Sequence, residues 1–149
     1  MLRVSIDTTP PLITGVMDEL QEQLERAVQD CQNGGAVIGI AWRHPSEILC
    51  VRTFGEREDW IRDFEELTKL KITLARRTGS STRTDLELAG MKLLPEERGL
   101  HPGAIVFNKQ LIVASSGFGA MNEHFSNLIG ERINDFDFCS QPLRLVATG

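Results

Sequence analysis

Residues 36–54, AVIGIAWRHPSEILCVRTF, decide the fold. Residues 36–42 are apolar almost without a break, so both faces of this strand are expected to be covered. His44-Pro45-Ser46 interrupts the run with turn chemistry. Residues 47–54 then read as a return strand, and a connection this short makes an antiparallel hairpin. A hairpin covered on both faces needs helices on both of its sides.

The flanking segments supply them. Residues 2–6 alternate apolar and polar and read as a short strand, and Thr8-Thr9-Pro10-Pro11 reads as a helix start. A long helix is expected over 11–32, where Ile13, Val16, Met17, Leu20, Leu24, Ala27, Val28 and Cys31 form one stripe. Asn33-Gly34-Gly35 ends it. A second helix spans 59–77, a short one 84–91, and 95–103 is loop. A second hairpin follows, 104–107 and 111–115, around Asn108-Lys109-Gln110, whose residues leave the turn type open. A last helix covers 121–136, and 143–147 is a possible terminal strand. The expected class is α/β in the α+β sense. It is one domain, residues 1–149, with a central antiparallel sheet of about five strands and helices on its faces.

The formal charge of −5 and the scattered basic residues argue against nucleic acid, which needs a concentrated positive face. No segment is long and apolar enough to span a bilayer, and the N-terminus does not read as a signal peptide. Cys31, Cys50 and Cys139 show no metal or redox spacing, so three reduced thiols and a cytoplasmic location are expected.

One residue breaks the pattern of the second helix. Trp60, Phe64, Leu67, Leu74 and Ala75 share a face, and Lys71 falls near its centre. A buried ammonium ion is costly unless it is paired or hydrogen-bonded. Lys71 either snorkels at a sheet edge, or pairs with a carboxylate of another segment or subunit, or faces a pocket where it holds a carboxylate or phosphate. Arg132 raises a related question, since it lies in the apolar stripe of the last helix and either pairs with a neighbouring subunit or snorkels.

The remaining candidates sit near element ends. Ser115-Ser116-Gly117-Phe118-Gly119 precedes a helix N-terminus, where amides attract anions. Asn122 stands where a third glycine would complete GxGxxG, so a structural turn fits better. His44 lies in a turn. His101 opens the second hairpin, and His124, beside Glu123, borders an apolar stripe. No HExxH, GxSxG or phosphate-loop motif is present.

These residues resemble the GlcG/HbpS-like proteins, often labelled haem-degrading or haem-binding domains, which include the C-terminal domain of PduO-type corrinoid adenosyltransferases. Lys71 followed by Gly79 is similar to that family's Lys-x7-Gly helix end. Arg77-Thr78-Gly79-Ser80-Ser81 resembles an Arg-Phe-Gly-x-Ser-Ser segment of an uncharacterised cytosolic branch. His101-Pro102-Gly103 is similar to its His-Gly-Gly, and Ser116-Gly117 with Glu123-His124 resembles its Ser-Gly-x5-Asp-His. Trp60 stands farther from the lysine than in that branch, Asn108-Lys109 replaces a turn glycine, and a Phe-Pro-Ile stretch is missing. The resemblance covers about residues 12–134. It implies a profilin-like sheet, homo-oligomers of two to eight subunits, and haem in some members.

The expected function is an oligomeric small-molecule-binding or sensory module without classical catalytic machinery, with haem as a possible ligand. Its candidate ligand-binding residues are Lys71, Gly79, Ser81, His101, Gly103, Ser116, Gly117, Glu123 and His124. The rival readings are an enzyme acting on haem, a corrinoid or a small hydroxy acid, with His124 as its base, and an oligomeric interaction scaffold.

Overall fold

A computed structural model describes residues 3–31, 34–45, 47–88 and 93–135, with side chains between residues 11 and 133. Helix α1 (Arg3–Cys31) leads into strands β1 (Gly35–Trp42) and β2 (Glu47–Gly55). Helices α2 (Glu58–Thr78) and α3 (Thr82–Leu88) follow, then a 3-10 turn at Pro95–Glu97. Strands β3 (Ala104–Phe107) and β4 (Leu111–Ser116), a 3-10 turn at Gly119–Met121 and helix α4 (Asn122–Asp135) complete the described chain.

The four strands form one antiparallel sheet in the order β2-β1-β4-β3. β1 is buried at every position, as its unbroken apolar sequence requires, because strands flank it and helices cover both its faces. The turn of the second hairpin is type I′. Asn108 (φ 53°) and Lys109 (φ 60°) are both left-handed, and the Gln110 amide donates to the Phe107 carbonyl at 3.0 Å.

The two faces of the sheet differ in side-chain size. On one, Ile38, Ile40, Trp42, Phe54, Leu111 and Val113 meet Ile13, Met17, Leu20 and Leu24 of α1 and Phe125, Ile129 and Ile133 of α4. On the other, Ala41, Ala104, Ala114 and Ile112 meet Ile72 and Ala75 of α2. Gly39 belongs to this thin face. A Cβ there would lie 2.9 Å from Ile72 Cδ1 and 3.0 Å from Thr68 Cγ2, so its absence lets α2 come close to the sheet.

Three expectations change. Residues 3–6 are helical, not a strand, and Thr8-Thr9-Pro10-Pro11 lies inside α1 instead of starting it. Five alternating residues make a strand only with a neighbour to bond, whereas a helical continuation satisfies most of its backbone locally. Pro10 and Pro11 still lack the amides that would reach the carbonyls of Ile6 and Asp7. The described residues hold four of the about five strands expected; the possible strand 143–147 and Cys139 lie outside them. Arg132 pairs with Glu19 of α1, within the same chain.

Gly55 has φ 91°, and a Cβ there would fall 2.5 Å from the Gly34 carbonyl oxygen and 2.8 Å from Gly35 Cα. Both obstacles are backbone, which cannot turn aside. Gly55→Ala is expected to lower the unfolding free energy by about 2 kcal/mol or more. Gly15, inside α1 with nothing within 4 Å of a Cβ, gives the opposite sign: Gly15→Ala is expected to add about 0.5–1 kcal/mol. Urea midpoints of the two variants measure both.

Candidate functional site

Lys71 is 2% exposed, on the face of α2 that meets the sheet. Its ammonium donates to the Ser115 carbonyl of β4 at 2.8 Å. It does not snorkel, and no carboxylate lies within ion-pair distance of it among the described residues. Burial alone pulls its pKa down from 10.5 to about 8.

Its surroundings are fixed by a short polar chain. The Ser115 amide donates to the Gly103 carbonyl at 3.2 Å, and the Ser126 hydroxyl donates to that same carbonyl at 2.6 Å. The Ser115 and Ser126 hydroxyls are 2.7 Å apart. A Cβ on Gly103 would stand 2.7 Å from Lys71 Nζ and 2.3 Å from the Ser115 carbonyl oxygen, so the missing side chain makes room for the amine.

Lys71 lines a cavity of about 520 Å³ between α2, α3, α4 and the loop before β3. Ser116, 1% exposed, lines the same cavity, and its hydroxyl has no hydrogen-bond partner among the described residues. Phe64, Leu67, Pro102 and Ala120 supply apolar wall. Gly117 and Gly119 bring the turn before α4 to the cavity, and Asn122 holds that turn by accepting from the Phe118 amide at 2.9 Å. Arg83 of α3 and Glu123 of α4 form an exposed ion pair at the mouth, with Arg83 Nη2 2.7 Å from Glu123 Oε1.

The loop that carries Gly99, His101 and Pro102 is anchored to the end of α2. Glu97, fully buried, accepts from Arg77 Nη2 at 2.5 Å and from the Leu94 amide at 2.8 Å. Thr78 Oγ1 donates to Asp85 of α3 at 2.8 Å, tying α3 to the same helix end.

Of the residues singled out from sequence, Lys71, His101, Ser116, Gly117 and Glu123 line the cavity, and Gly103 abuts Lys71. Gly79, Ser81 and His124 do not line it. Gly79 (φ 75°) caps α2, its amide donating to the Ala75 carbonyl, and a Cβ there would meet the Arg43 guanidinium at 2.8 Å. The Ser81 hydroxyl accepts from the Thr84 amide at the start of α3. His124 is exposed and sits edge-on to Phe125, ring centroids 5.1 Å apart. Sequence reasoning missed Arg83, Asn122 and the walls. Phe64 and Leu67 carried a usable signal, since they lie seven and four residues before Lys71 on one helical face. Among the described residues no group of three or more His, Cys, Asp or Glu is placed to hold a metal ion, and no helix is long and apolar enough to cross a membrane.

The lowered pKa of Lys71 sets a pH dependence with a definite sign. Between about 8 and 10.5 the unfolded chain keeps a proton that the folded chain has released. Stability without ligand is therefore expected to rise with pH across that window, by up to about 3 kcal/mol. Denaturation of the parent and of Lys71→Met, followed in parallel from pH 7 to 10, checks this: the parent gains on the variant as pH rises, and a constant difference contradicts the assignment.

Comparison with models of known families, with curated proteins and with solved structures finds no match for this chain.

Proposed function

We propose that this chain is a small-molecule-binding module, working as an oligomer, whose cavity takes the carboxylate of a small monoanionic ligand on Lys71. One observation carries the reading: a buried ammonium ion lines the cavity and has a carbonyl, but no carboxylate, for company among the described residues. Such a charge is costly to bury, and an entering anion offsets that cost. Ser116 lines the same cavity and its buried hydroxyl has no partner among the described residues, so it is the candidate second donor for a carboxylate held on Lys71.

Charge favours a monoanion over a phosphate monoester. Lys71 and Arg83 each bring a positive charge to the lining and Glu123 a negative one, leaving one positive charge in excess. A dianion would have to draw Arg83 away from Glu123.

The resemblance to the GlcG/HbpS-like proteins and a profilin-like arrangement belong to the same reading. Supporting them are helices on both sheet faces and the lysine-bearing helix that stops at Gly79. A cytoplasmic location is supported by the free thiols of Cys31 and Cys50. Haem does not fit this lining. Among the described residues the cavity offers a single imidazole, on the exposed His101, and few large apolar side chains to sandwich a macrocycle. Binding is favoured over turnover because His124, the candidate base, does not line the cavity.

Titration calorimetry with a panel of small carboxylates and matched phosphate esters tests the proposal. A carboxylate is expected to bind at pH 7, and Lys71→Met to weaken it at least about tenfold while leaving the fold intact. Affinity is expected to fall as pH rises above about 8, where free Lys71 loses its proton. Equal binding by parent and Lys71→Met would remove the ammonium from the site. Haemin is expected to show no shifted Soret band, and a shifted band lost in His101→Ala would make haem the ligand instead.

A further inference from the structure

β2 is an edge strand of nine residues, and among the described residues no strand pairs with its outer side. Long open edges with apolar side chains invite pairing with another chain. Helix α2 lies over β1 and β4, so among the described residues the face of β2 on its side has little cover. Ile48 and Val51, which oppose Ala41 and Gly39 on that face, are each 44% exposed.

We propose that β2 is the self-association edge, two copies pairing β2 to β2, antiparallel, about a two-fold axis between Leu49 and Cys50. This deepens the oligomeric part of the reading above and does not involve the cavity.

The register follows from a bulge. Ile40 opposes Cys50 and Ala41 opposes Ile48, so Leu49 is an extra residue that shifts the alternation of faces by one. Residues 48 and 51 therefore share the α2 face, while 47, 50 and 52 share the α1 face. The proposed axis sets Ile48 opposite Val51 of the second copy, twice, joining the bare apolar residues into one strip. It also sets Glu47 opposite Arg52, twice. Glu47 forms no salt bridge within its own chain among the described residues. Arg52 Nη1 is 2.8 Å from Asp18 and adds a second carboxylate on pairing. The rival axis through Arg52 would place two guanidinium groups side by side, which is unfavourable.

Sedimentation and light scattering on the full chain test the assignment. A dimer is expected at about 100 µM. Val51→Lys, an exposed position whose change spares the core, is expected to give a folded monomer. Glu47→Arg is expected to weaken the dimer about tenfold, and adding Arg52→Glu to restore part of the loss. Amides of β2 should exchange faster in the Val51→Lys monomer than in the parent dimer. A parent that stays monomeric at this concentration, or a dimer untouched by Val51→Lys, overturns the proposal. So does a monomer whose β2 amides are protected, which would give the edge to another segment of the chain. Carboxylate binding by the Val51→Lys monomer separates the two readings: retained binding leaves the cavity standing whatever happens at the edge.

Discussion

The hydrogen bond from the buried Lys71 ammonium to the Ser115 carbonyl is the contact around which this end of the molecule is arranged. It requires α2 to approach β4 closely, and the small side chains of that sheet face allow it. Gly39 admits Ile72 and Thr68, while Ala41, Ala104 and Ala114 keep the layer thin. It also requires an empty position at Gly103, since any Cβ would stand against both the amine and its acceptor. Ser126 then holds the Gly103 carbonyl, so α4 is drawn into the same small network.

This arrangement is a poor choice for stability alone. A methionine or leucine at position 71 would fill the space without desolvating a charge, and such replacements of buried ions are commonly neutral or stabilising. The lowered pKa reflects that cost directly, because burial disfavours the charged form. On the proposed reading a bound anion would reverse it: negative charge beside Lys71 favours the protonated amine, so ligand binding would be linked to proton uptake.

Much of this was legible in the sequence, and the failures have physical causes. The unbroken apolar run at 36–42 could only be a strand covered on both faces, and Lys71 stood out because helical angles put a charge among Phe64, Leu67 and Leu74. His101, Ser116, Gly117 and Glu123 were recognisable as polar or small residues near element ends. Gly79 and Ser81 have the same local signature, but a helix cap and a ligand contact ask the same of the chain, and here both are caps. Glu97 gave no sign of burial, because Pro95-Glu96-Glu97-Arg98 reads as a solvated turn. Its partner Arg77 lies 20 residues away, and only tertiary structure brings them together. Residues 2–6 misled because a run of five residues cannot distinguish a strand lacking a neighbour from the continuation of a helix.

The open edge and the cavity have a common geometric origin. Strands lie about 4.8 Å apart, so a four-stranded sheet is about twice as wide as one helix, whose diameter is about 10 Å. The large-residue face has two helices, α1 and α4, and is closed by them. The small-residue face has one long helix, α2, which covers the two central strands and leaves a flank on either side. On the β3 flank, Leu74, Leu93 and Leu100 build a small third core with Leu67, Leu70 and Leu86, and the cavity forms where that cover meets the turn before α4. The β2 flank has no such cover among the described residues, and there Ile48 and Val51 stand bare. A helix set further toward β2 would hide that edge, but it would carry Lys71 away from Ser115. The position of the amine and the exposure of the strand are thus two consequences of where one helix lies.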